Sequence, residues 1–320
     1  MKAVEITGGS GPATALVMAD RPGPGQIRIR VRAAGVNRPD ILQRMGRYPA
    51  PPGASDILGL EVAGEVDQVG DDVSRWSLDD RVCALLGGGG YAEYAVVDAR
   101  HALPVPDGMD WVQAAALPET VCTVFANVFE AGGLGADETL LVHGATSGIG
   151  VTAIQMARAA GARVIATSRG TEKAAAARAL GAGLSLDART DDMAAAIAKF
   201  GGADVVLDMV GTDYAALNLE ALKPFGRWVV IATLSGNRAE IDLAREMMKR
   251  IVLTGSTLRA RPADEKARLI AAVEAVAWPW VVSGAVRPPV EAVFPLAEAA
   301  LAHLLLEAGE HVGKVILTVG

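Results

Sequence analysis

The first part of the chain alternates short apolar runs with turn residues. Apolar and β-branched side chains recur in three stretches: "QIRIRVRAAGVN" at 26–37, "EVAGEVDQVG" at 61–70 and "RVCALLGGGGYAEYAVV" at 81–97. Turn-forming residues such as glycine and asparagine bound these stretches, and no regular helical pattern separates them. The pattern predicts a β-rich N-terminal region with short connections.

From about Glu138 the pattern changes to strands that alternate with helices. Apolar runs such as "TLLVHG", "ARVIATS", "DVVLDMV" and "RWVVIA" alternate with helical stretches, the first two ending at about Ala160 and Leu180. Central strands of a parallel sheet are apolar throughout, because helices cover both of its faces. We therefore expect a doubly wound parallel sheet here, with "RIVLTGST" at 250–257 as a further strand.

The C-terminal segment predicts a return to the first region. Helical stretches at about 263–277 and 296–307 precede a closing apolar strand, "GKVILTV". A chain of 320 residues exceeds what one hydrophobic core usually organises. The sequence thus predicts an α/β protein with a β-rich domain at 1–117 and 259–320 and a parallel-sheet domain at 118–258.

Composition and charge exclude several classes of protein. The net charge of −7 gives no reason to expect a nucleic-acid partner, because proteins that bind nucleic acid generally have a clustered basic surface. The N-terminal "MKAVEITGGSGPATALV" lacks the unbroken apolar run of a signal peptide, and no later apolar run approaches the length that crosses a bilayer. Two cysteines, Cys83 and Cys122, are too few for a disulfide framework or a four-cysteine zinc lobe. We expect a soluble cytoplasmic protein with no nucleic-acid or membrane partner.

The stretch "GATSGIG" at 144–150 is the first candidate for a binding site. It connects a strand to a helix, where backbone N–H groups and the helix N-terminus can hold a dinucleotide's pyrophosphate. Of the glycines in G-x-G-x-x-G only Gly150 is present, and such a turn is often a mere connection. The surrounding strand–helix repeats favour cofactor binding. Ser147 adds a hydroxyl that can reach a phosphate.

The end of the next strand bears on the choice between NAD and NADP. NAD-binding folds place an acidic residue about 20 residues past the glycine turn, where it binds the ribose 2′-hydroxyl. The corresponding "TSRG" at 167–170 has none. Arg169, with Ser168 and Lys173 nearby, suits a 2′-phosphate, which predicts NADPH as the cofactor. The alternative is that Arg169 and Lys173 are solvated charges at the start of a helix.

Together these residues resemble the medium-chain dehydrogenase/reductase superfamily, whose members combine a GroES-like catalytic domain with a Rossmann domain. The motifs "GVNRPD", "GLEVAGEV", "LPET", "HGATSGIG" and "VGKVIL" are most similar to those of the zinc-independent quinone oxidoreductases. The runs "RYPAPPGASDILGLE" and "GSTLRARP" look like the tumour-suppressor-inducible type. The resemblance implies NADPH-dependent reduction of a quinone, and a homodimer joined through the edge strand "RIVLTGST".

The resemblance also implies that the protein holds no zinc. Zinc-dependent members have a cysteine at the position of Asn37 and a histidine at that of Leu60. The four histidines are scattered, and none forms a close ligand pair with a cysteine. We therefore interpret Glu61 as a carboxylate paired within the fold. His143, on an apolar strand, is interpreted as a hydrogen-bonded core residue.

Carried over by position, the resemblance gives each candidate residue a role. Asn37 and Tyr48 would border the substrate and the nicotinamide in a cleft between the domains, although Tyr48 can equally be a tyrosine that caps the proline-rich loop. Ala188 stands where related enzymes often have a tyrosine near the adenosine phosphate, which leaves more of that contact to Arg169. The other cofactor-binding candidates are Thr123 at the nicotinamide, Ser147, Gly148 and Ile149 at the pyrophosphate, Ser168, Arg169 and Lys173 at the adenosine phosphate, and Leu234 in the loop "TLSG" over the cofactor.

Three other functions compete with quinone reduction. Short-chain dehydrogenases also contain "GATSGIG", but they need a Tyr-x-x-x-Lys pair. That pair is absent here, because the residues four places after the tyrosines are Pro52, Ala95, Asp98 and Asn218. Reduction of an enone or enal by the same cofactor stays open. So does a catalytically silent, crystallin-like NADPH-binding protein.

Overall fold

The computed structural model describes residues 1–6, 12–16 and 22–320, and the chain divides into two compact units. The first unit comprises Met1–Cys122, Leu258–Val282 and Pro288–Gly320, and the second comprises Thr123–Thr257 and Ser283–Arg287. The boundaries fall at 122/123 and 257/258, where the sequence patterns suggested 117/118 and 258/259.

The N-terminal part of the first unit is built from strands and short helices. Their bounds are β1 Lys2–Ile6, β2 Pro12–Leu16, β3 Gln26–Val36, α1 Arg38–Arg44, β4 Glu61–Val69, β5 Arg81–Leu85, β6 Tyr94–Asp98, β7 Ala102–Pro104, α2 Trp111–Ala114 and α3 Pro118–Val124. The predicted β-rich stretch at 81–97 contains two strands, β5 and most of β6. Gly89, with φ of +94°, lies between them in a backbone conformation that is not extended.

The second unit is a Rossmann-type sheet with helices. Its elements are β8 Thr139–His143, α4 Gly148–Ala159, β9 Arg163–Ser168, α5 Thr171–Ala179, β10 Leu184–Asp187, α6 Met193–Phe200, β11 Ala203–Asp208, α7 Ala215–Ala221, β12 Leu222–Val230, α8 Leu243–Lys249 and β13 Val252–Gly255. All strand pairs are parallel, in the order β10-β9-β8-β11-β12-β13. The predicted parallel sheet is confirmed, and its strand order changes direction between β8 and β11. Ligands of such sheets bind outside the carboxyl ends of the strands at this point.

The C-terminal segment completes the sheet of the first unit. It contains α9 Ala263–Val276, α10 Trp278–Val282, β14 Val290–Pro295, α11 Ala299–Ala308 and β15 Lys314–Thr318. Strand β15 pairs antiparallel with β3, with Val315 opposite Val36. The expected return of "GKVILTV" to the first domain is thus confirmed. The sheet order is β14-β15-β3-β4-β5-β7, with β6 also paired to β3.

The two sheets differ in which faces are buried, as their sequences predict. In β3, Ile27, Ile29 and Val31 are buried and alternate with more exposed polar residues. In β8 every residue from Thr139 to His143 is buried. Full burial of one such aliphatic side chain stabilises the fold by about 1.5 to 3 kcal/mol. The β-rich sheet therefore exposes part of one face, whereas the centre of the parallel sheet is covered on both.

One helical stretch corrects the expectation about apolar runs. Among the residues that the structure describes, Trp111–Ala131 is long and apolar enough to cross a membrane by length and composition. It includes α2, α3 and a π-helical turn at Phe125–Ala131. Of its most apolar window, 83% is buried inside the protein. The stretch is apolar because it lies in the core.

Candidate active site

The glycine-rich turn after β8 has the geometry of an anion-binding helix start. Ser147 caps α4, and its Oγ accepts a hydrogen bond from the Gly150 N–H at 3.1 Å. A Cβ at position 150 would lie 2.5 Å from the Gly144 carbonyl oxygen, so only glycine fits there. The first N–H groups of a helix have no partner within it. The Gly148 and Ile149 N–H groups are therefore left for an anionic ligand.

Met209 is a further residue of this turn that sequence reasoning missed. It follows β11, and its Sδ lies 3.6 Å from the Ser147 Oγ. A Cβ on Gly144, whose φ is +62°, would come within 2.9 Å of the same sulfur atom. Met209 thus packs against the turn across the point where the strand order changes direction. The available signal was its position directly after a predicted central strand.

The end of β9 contains a buried hydroxyl without a partner. Ser168 is 6% exposed, and its Oγ makes no hydrogen bond with any residue that the structure describes. Buried polar groups are nearly always hydrogen-bonded, so this one indicates a site for a ligand oxygen. Arg169 is exposed beside it, and Lys173 lies partly exposed on α5. The three predicted phosphate residues lie between the end of β9 and the first turn of α5.

Asp187, at the end of β10, fixes the same segment. Its Oδ1 accepts hydrogen bonds from the Gly170 N–H at 2.8 Å and the Arg189 N–H at 3.0 Å. These bonds hold the pKa of the Asp187 carboxyl below its ordinary value. Its Oδ2 accepts from the Thr171 hydroxyl at 3.3 Å. Both oxygens of this carboxylate are thus engaged in shaping the loop.

His143 is a core residue, as predicted. Its Nδ1 lies 2.8 Å from the Thr167 hydroxyl and its Nε2 lies 2.6 Å from Asn218 Oδ1. Asn218 in turn donates to the buried Asp208 at 3.0 Å. Burial lowers the pKa of His143. This ring is a neutral link between strands rather than an acid–base group, and the interpretation is confirmed.

The remaining cofactor candidates lie on other elements of the second unit. Leu234, in the loop after β12, is 56% exposed, and its N–H donates to the Met209 carbonyl oxygen at 3.3 Å. Thr123 is partly exposed near the end of α3. Asn127 donates to the Thr123 carbonyl oxygen at 2.8 Å and accepts from the Ser256 hydroxyl at 2.7 Å. Asn127 and Ser256 therefore hold the Thr123 backbone. Ser256 lies in the quoted run "GSTLRARP", but neither residue was recognised from sequence as a site residue.

In the first unit, Asn37 belongs to a buried ionic centre that also contains Glu61 and Lys314. The Lys314 ammonium lies 2.6 Å from Glu61 Oε1 and 2.7 Å from Asn37 Oδ1. Asn37 Nδ2 donates to the same Glu61 oxygen at 2.9 Å. Lys314 is 2% exposed and Glu61 is 0% exposed. The interpretation of Glu61 as a carboxylate paired within the fold is confirmed, while Lys314, in "VGKVIL", was not recognised from sequence.

Beside Asn37, whose position is a zinc ligand in zinc-dependent relatives, the cation is a lysine side chain of the protein itself. Leu60, where zinc-dependent relatives have a histidine, is buried and apolar. Within residues 1–6, 12–16 and 22–320, no three His, Cys, Asp or Glu side chains are grouped to hold a metal ion. The positive charge beside Asn37 and Glu61 is the ammonium of Lys314.

A second buried network fixes the backbone at Asn37. Asp40 accepts hydrogen bonds from the Asn37 N–H at 2.8 Å, the Gly59 N–H at 3.2 Å and the Tyr91 hydroxyl at 3.1 Å. The Tyr91 oxygen also lies 3.1 Å from His303 Nε2. Burial raises the pKa of Asp40 to about 6 and lowers that of His303 to about 4. Burial thus disfavours the charged form of both groups, but with a pKa of about 6 the Asp40 carboxylate is still ionised at neutral pH.

Tyr48 lies half-buried in the loop after α1. Its hydroxyl has no hydrogen-bond partner among the described residues. The Arg259 guanidinium lies over its ring, 5.5 Å from the centroid. Burial and the Glu119 carboxylate raise the pKa of Tyr48, and Arg259 opposes them. Tyr48 thus offers a free, neutral donor.

Two known protein families match this chain, one in each of its two parts. Residues 148–275 match the zinc-binding dehydrogenase family, and residues 23–107 match the alcohol dehydrogenase GroES-like domain. A quinone oxidoreductase of Pseudomonas aeruginosa is 35% identical over 305 residues, which cover 92% of each chain.

Solved structures with the same fold cover the full length. An NAD-dependent alcohol dehydrogenase superimposes with a TM-score of 0.88 at 30% identity and covers 100% of both chains. Escherichia coli quinone oxidoreductase complexed with NADPH has a TM-score of 0.86 at 26% identity, covering 99% of this chain and 100% of its own. The fold is therefore α/β, with a GroES-like domain and a Rossmann-like parallel sheet.

Proposed function

The chain belongs to the medium-chain dehydrogenase/reductase superfamily, and from this premise we propose that it is an NADPH-dependent quinone reductase that works without zinc. It is an oxidoreductase whose relatives include a quinone oxidoreductase at 35% identity. Within the superfamily we place it nearest the tumour-suppressor-inducible type, because its sequence at 47–61 and 255–262 resembles that type.

The second unit has the groups that NADPH needs. The helix start at Gly148 and Ile149 suits a pyrophosphate, and Arg169 and Lys173 suit a 2′-phosphate. The unpartnered Ser168 hydroxyl gives an independent reason to expect a ligand oxygen at this end. No acidic side chain follows β9 to select a free 2′-hydroxyl. When bound, NADPH supplies a hydride.

The single observation that favours a quinone over a simple ketone as the acceptor is the Lys314–Glu61–Asn37 centre. Its ion pair, at 2.6 Å, is fully buried and internally satisfied, so it offers no open ligand position for a metal. Reduction of a simple ketone produces an alkoxide, which needs a Lewis acid or a strong proton donor. Reduction of a quinone produces a stabilised phenolate. A site without a metal therefore suits the quinone.

Tyr48 is the donor that we assign to the acceptor oxygen. Its hydroxyl is free, whereas the Asn37 amide nitrogen already donates to Glu61 at 2.9 Å and to the Gly35 carbonyl at 3.4 Å. Asn37 then orients the acceptor by shape, and Tyr48 orients it by a hydrogen bond. Most of the rate enhancement comes from this positioning, since the quinone is already electrophilic.

Steady-state oxidation of NADPH tests the function. We expect turnover with ortho- or para-quinones, none with simple alcohols, and no stoichiometric zinc by elemental analysis. Tyr48→Phe should keep reduced activity, with the loss mainly in kcat/KM. Turnover of enones without quinones would move the assignment to alkene reduction, and tight NADPH binding without turnover would identify a silent binding protein.

A homodimer is the assembly that we propose. Strand β13 is at the edge of its sheet, and its Val252 and Leu253 side chains are exposed. On the preceding helix α8, Leu243, Met247 and Met248 are exposed as well. An apolar edge strand favours pairing with a second copy about a two-fold axis. Light scattering at micromolar concentration should give a dimer mass, and a monomer mass would contradict the proposal.

A further inference from the structure

Arg259 is a buried cation that the function has not yet used. It belongs to "GSTLRARP", directly after the boundary at 257/258, and is 5% exposed. Among the described residues it forms no ion pair with a carboxylate. Burying an unpaired charge is costly, and the guanidinium does not lose its proton in proteins. This cost makes Arg259 a candidate for a role beyond stability.

Three hydrogen bonds hold the guanidinium in one plane. Its Nε donates to the Gly87 carbonyl at 2.7 Å and its Nη2 donates to Gln43 Oε1 at 2.8 Å. Its Nη1 donates to the Tyr48 carbonyl at 3.3 Å. Gln43 is itself fixed, since its Nε2 donates to the Asp56 carbonyl at 2.8 Å. One side chain thus joins the end of α1, the Tyr48 loop and the turn after β5.

We propose that Arg259 is a positioning residue for Tyr48: it fixes the tyrosine ring and places a permanent positive charge beside it. This inference rests on the proposed function, in which the Tyr48 hydroxyl donates to an acceptor oxygen that gains negative charge. A cation 5.5 Å from the ring centroid stabilises negative charge that develops at the phenol or at its partner. Tyr48 is then a better donor than a half-buried tyrosine alone.

Among the charged groups around Tyr48 and Arg259, Arg259 is the one that opposes the rise in the Tyr48 pKa. Burial and Glu119 both raise the pKa of Tyr48, and Arg259 acts against them. The carboxylates of Asp40, Asp56 and Glu119 lie within electrostatic range of Arg259. Lys266, which is mostly buried, interacts with Glu119 and Arg259. Without Arg259, the charged group that acts on the Tyr48 phenol is the Glu119 carboxylate, which raises its pKa.

The first test measures the phenol directly and needs no substrate. The full-length protein is labelled with 3,5-difluorotyrosine, whose phenol titrates near neutral pH, and is followed by ¹⁹F NMR. Tyr48→Phe assigns one of the four tyrosine signals. In Arg259→Gln we expect the Tyr48 pKa to rise by about one unit, and in Arg259→Lys by less, because lysine keeps the charge but not the planar fork.

A matched control is available at Tyr94, which has Arg28 over its ring at 4.9 Å. Arg28→Gln should change the Tyr94 signal and leave that of Tyr48 in place, and Arg259→Gln should do the reverse. An unchanged Tyr48 titration in both Arg259 variants overturns the proposal. If Arg259→Gln does not fold, the titration of Tyr48 in Arg259→Lys alone tests the proposal. Lysine cannot make all three hydrogen bonds of Arg259, so the Tyr48 signal should still change.

The second test separates positioning from a purely structural role. Arg259→Gln should lower kcat/KM for a quinone about tenfold in the parent protein, as for one hydrogen bond to a charged group, and less than twofold in Tyr48→Phe. Equal losses in both backgrounds would mean that Arg259 does not act through Tyr48. Absence of quinone turnover in the parent protein would instead refute the proposed function, while the ¹⁹F titration would still test the pairing.

Discussion

Two buried polar sites, one in each unit, differ in whether the fold itself supplies their hydrogen-bond partners. In the first unit, Lys314, Glu61 and Asn37 bind one another at 2.6 to 2.9 Å, and each of these groups has a partner within the fold. In the second unit, the Ser168 hydroxyl at the end of β9 is buried and has no partner in the part of the chain that the structure describes.

This difference separates groups that hold the fold from groups that await a ligand. A satisfied buried network contributes to folding, so removing one member should cost stability. An unsatisfied buried group lowers the stability of the free protein, and a ligand oxygen that hydrogen-bonds to it should remove that penalty. Substitutions in the Lys314–Glu61–Asn37 centre should therefore lower stability. Removal of the Ser168 hydroxyl should instead weaken ligand binding and leave stability unchanged or higher.

The largest effect is expected from Lys314→Met, which leaves the Glu61 carboxylate buried without its cation. We expect the free energy of unfolding to fall by about 3 to 5 kcal/mol, measured by denaturant unfolding. The double variant Lys314→Met with Glu61→Gln should recover part of that loss, because no uncompensated charge then remains. A single variant within 1 kcal/mol of the parent protein would show that the centre contributes little to folding.

The next effect concerns binding in the second unit. Arg169→Ala should weaken NADPH by about 1.5 to 3 kcal/mol, as for a hydrogen bond to a charged group, and leave NADH nearly unchanged. Titration calorimetry with both cofactors measures this, and the free energy of unfolding should hardly change because Arg169 is exposed. Equal losses for NADPH and NADH would mean that Arg169 only supports the fold.

A smaller effect distinguishes two residues within the network of the first unit. Asp40 has a folded pKa of about 6, above its ordinary 3.8, so its contribution to stability decreases as pH rises through that window. His303 has a folded pKa of about 4, below its ordinary 6.5, so its contribution decreases as pH falls. Between pH 4 and 6 the two dependences oppose each other.

Single substitutions should expose each dependence. From pH 6 to pH 4, Asp40→Asn should lose about 1 to 2 kcal/mol of stability, and His303→Gln should gain a similar amount. Urea unfolding at several pH values gives both slopes, and the difference between the variants removes the titrations that they share. Parallel slopes would show that neither group titrates as its burial implies.

The smallest effect tests the unpartnered hydroxyl itself. Ser168→Ala removes a buried polar group that has no partner, so the free protein should keep or gain up to about 1 kcal/mol of stability while NADPH binds about 0.5 to 1.5 kcal/mol more weakly. The matched control is Thr167→Val next to it, whose hydroxyl lies 2.8 Å from His143. That variant should lose stability. A loss of stability in Ser168→Ala would indicate that its hydroxyl is satisfied in solution.

Sequence patterns predicted those parts of the molecule that depend on local chemistry. The apolar runs at Thr139–His143 and Ala203–Asp208 became central parallel strands, because only strands covered on both faces are apolar throughout. Ser147 and Gly150 form the predicted turn because a helix start needs a cap and a close approach to the preceding strand. The stretch at 81–97 was predicted only as β-rich with turn residues, and the structure gives it two strands, β5 and β6.

Only the tertiary structure decided which distant residues meet. Lys314 is 253 positions from Glu61, and its ammonium reaches that carboxylate because β15 pairs with β3. Arg259 reaches Tyr48 across 211 positions. Hydrophobic periodicity and turn residues specify elements because they act over a few residues. Ion pairs and cation–ring contacts depend on strand order and register, which no short stretch of sequence contains.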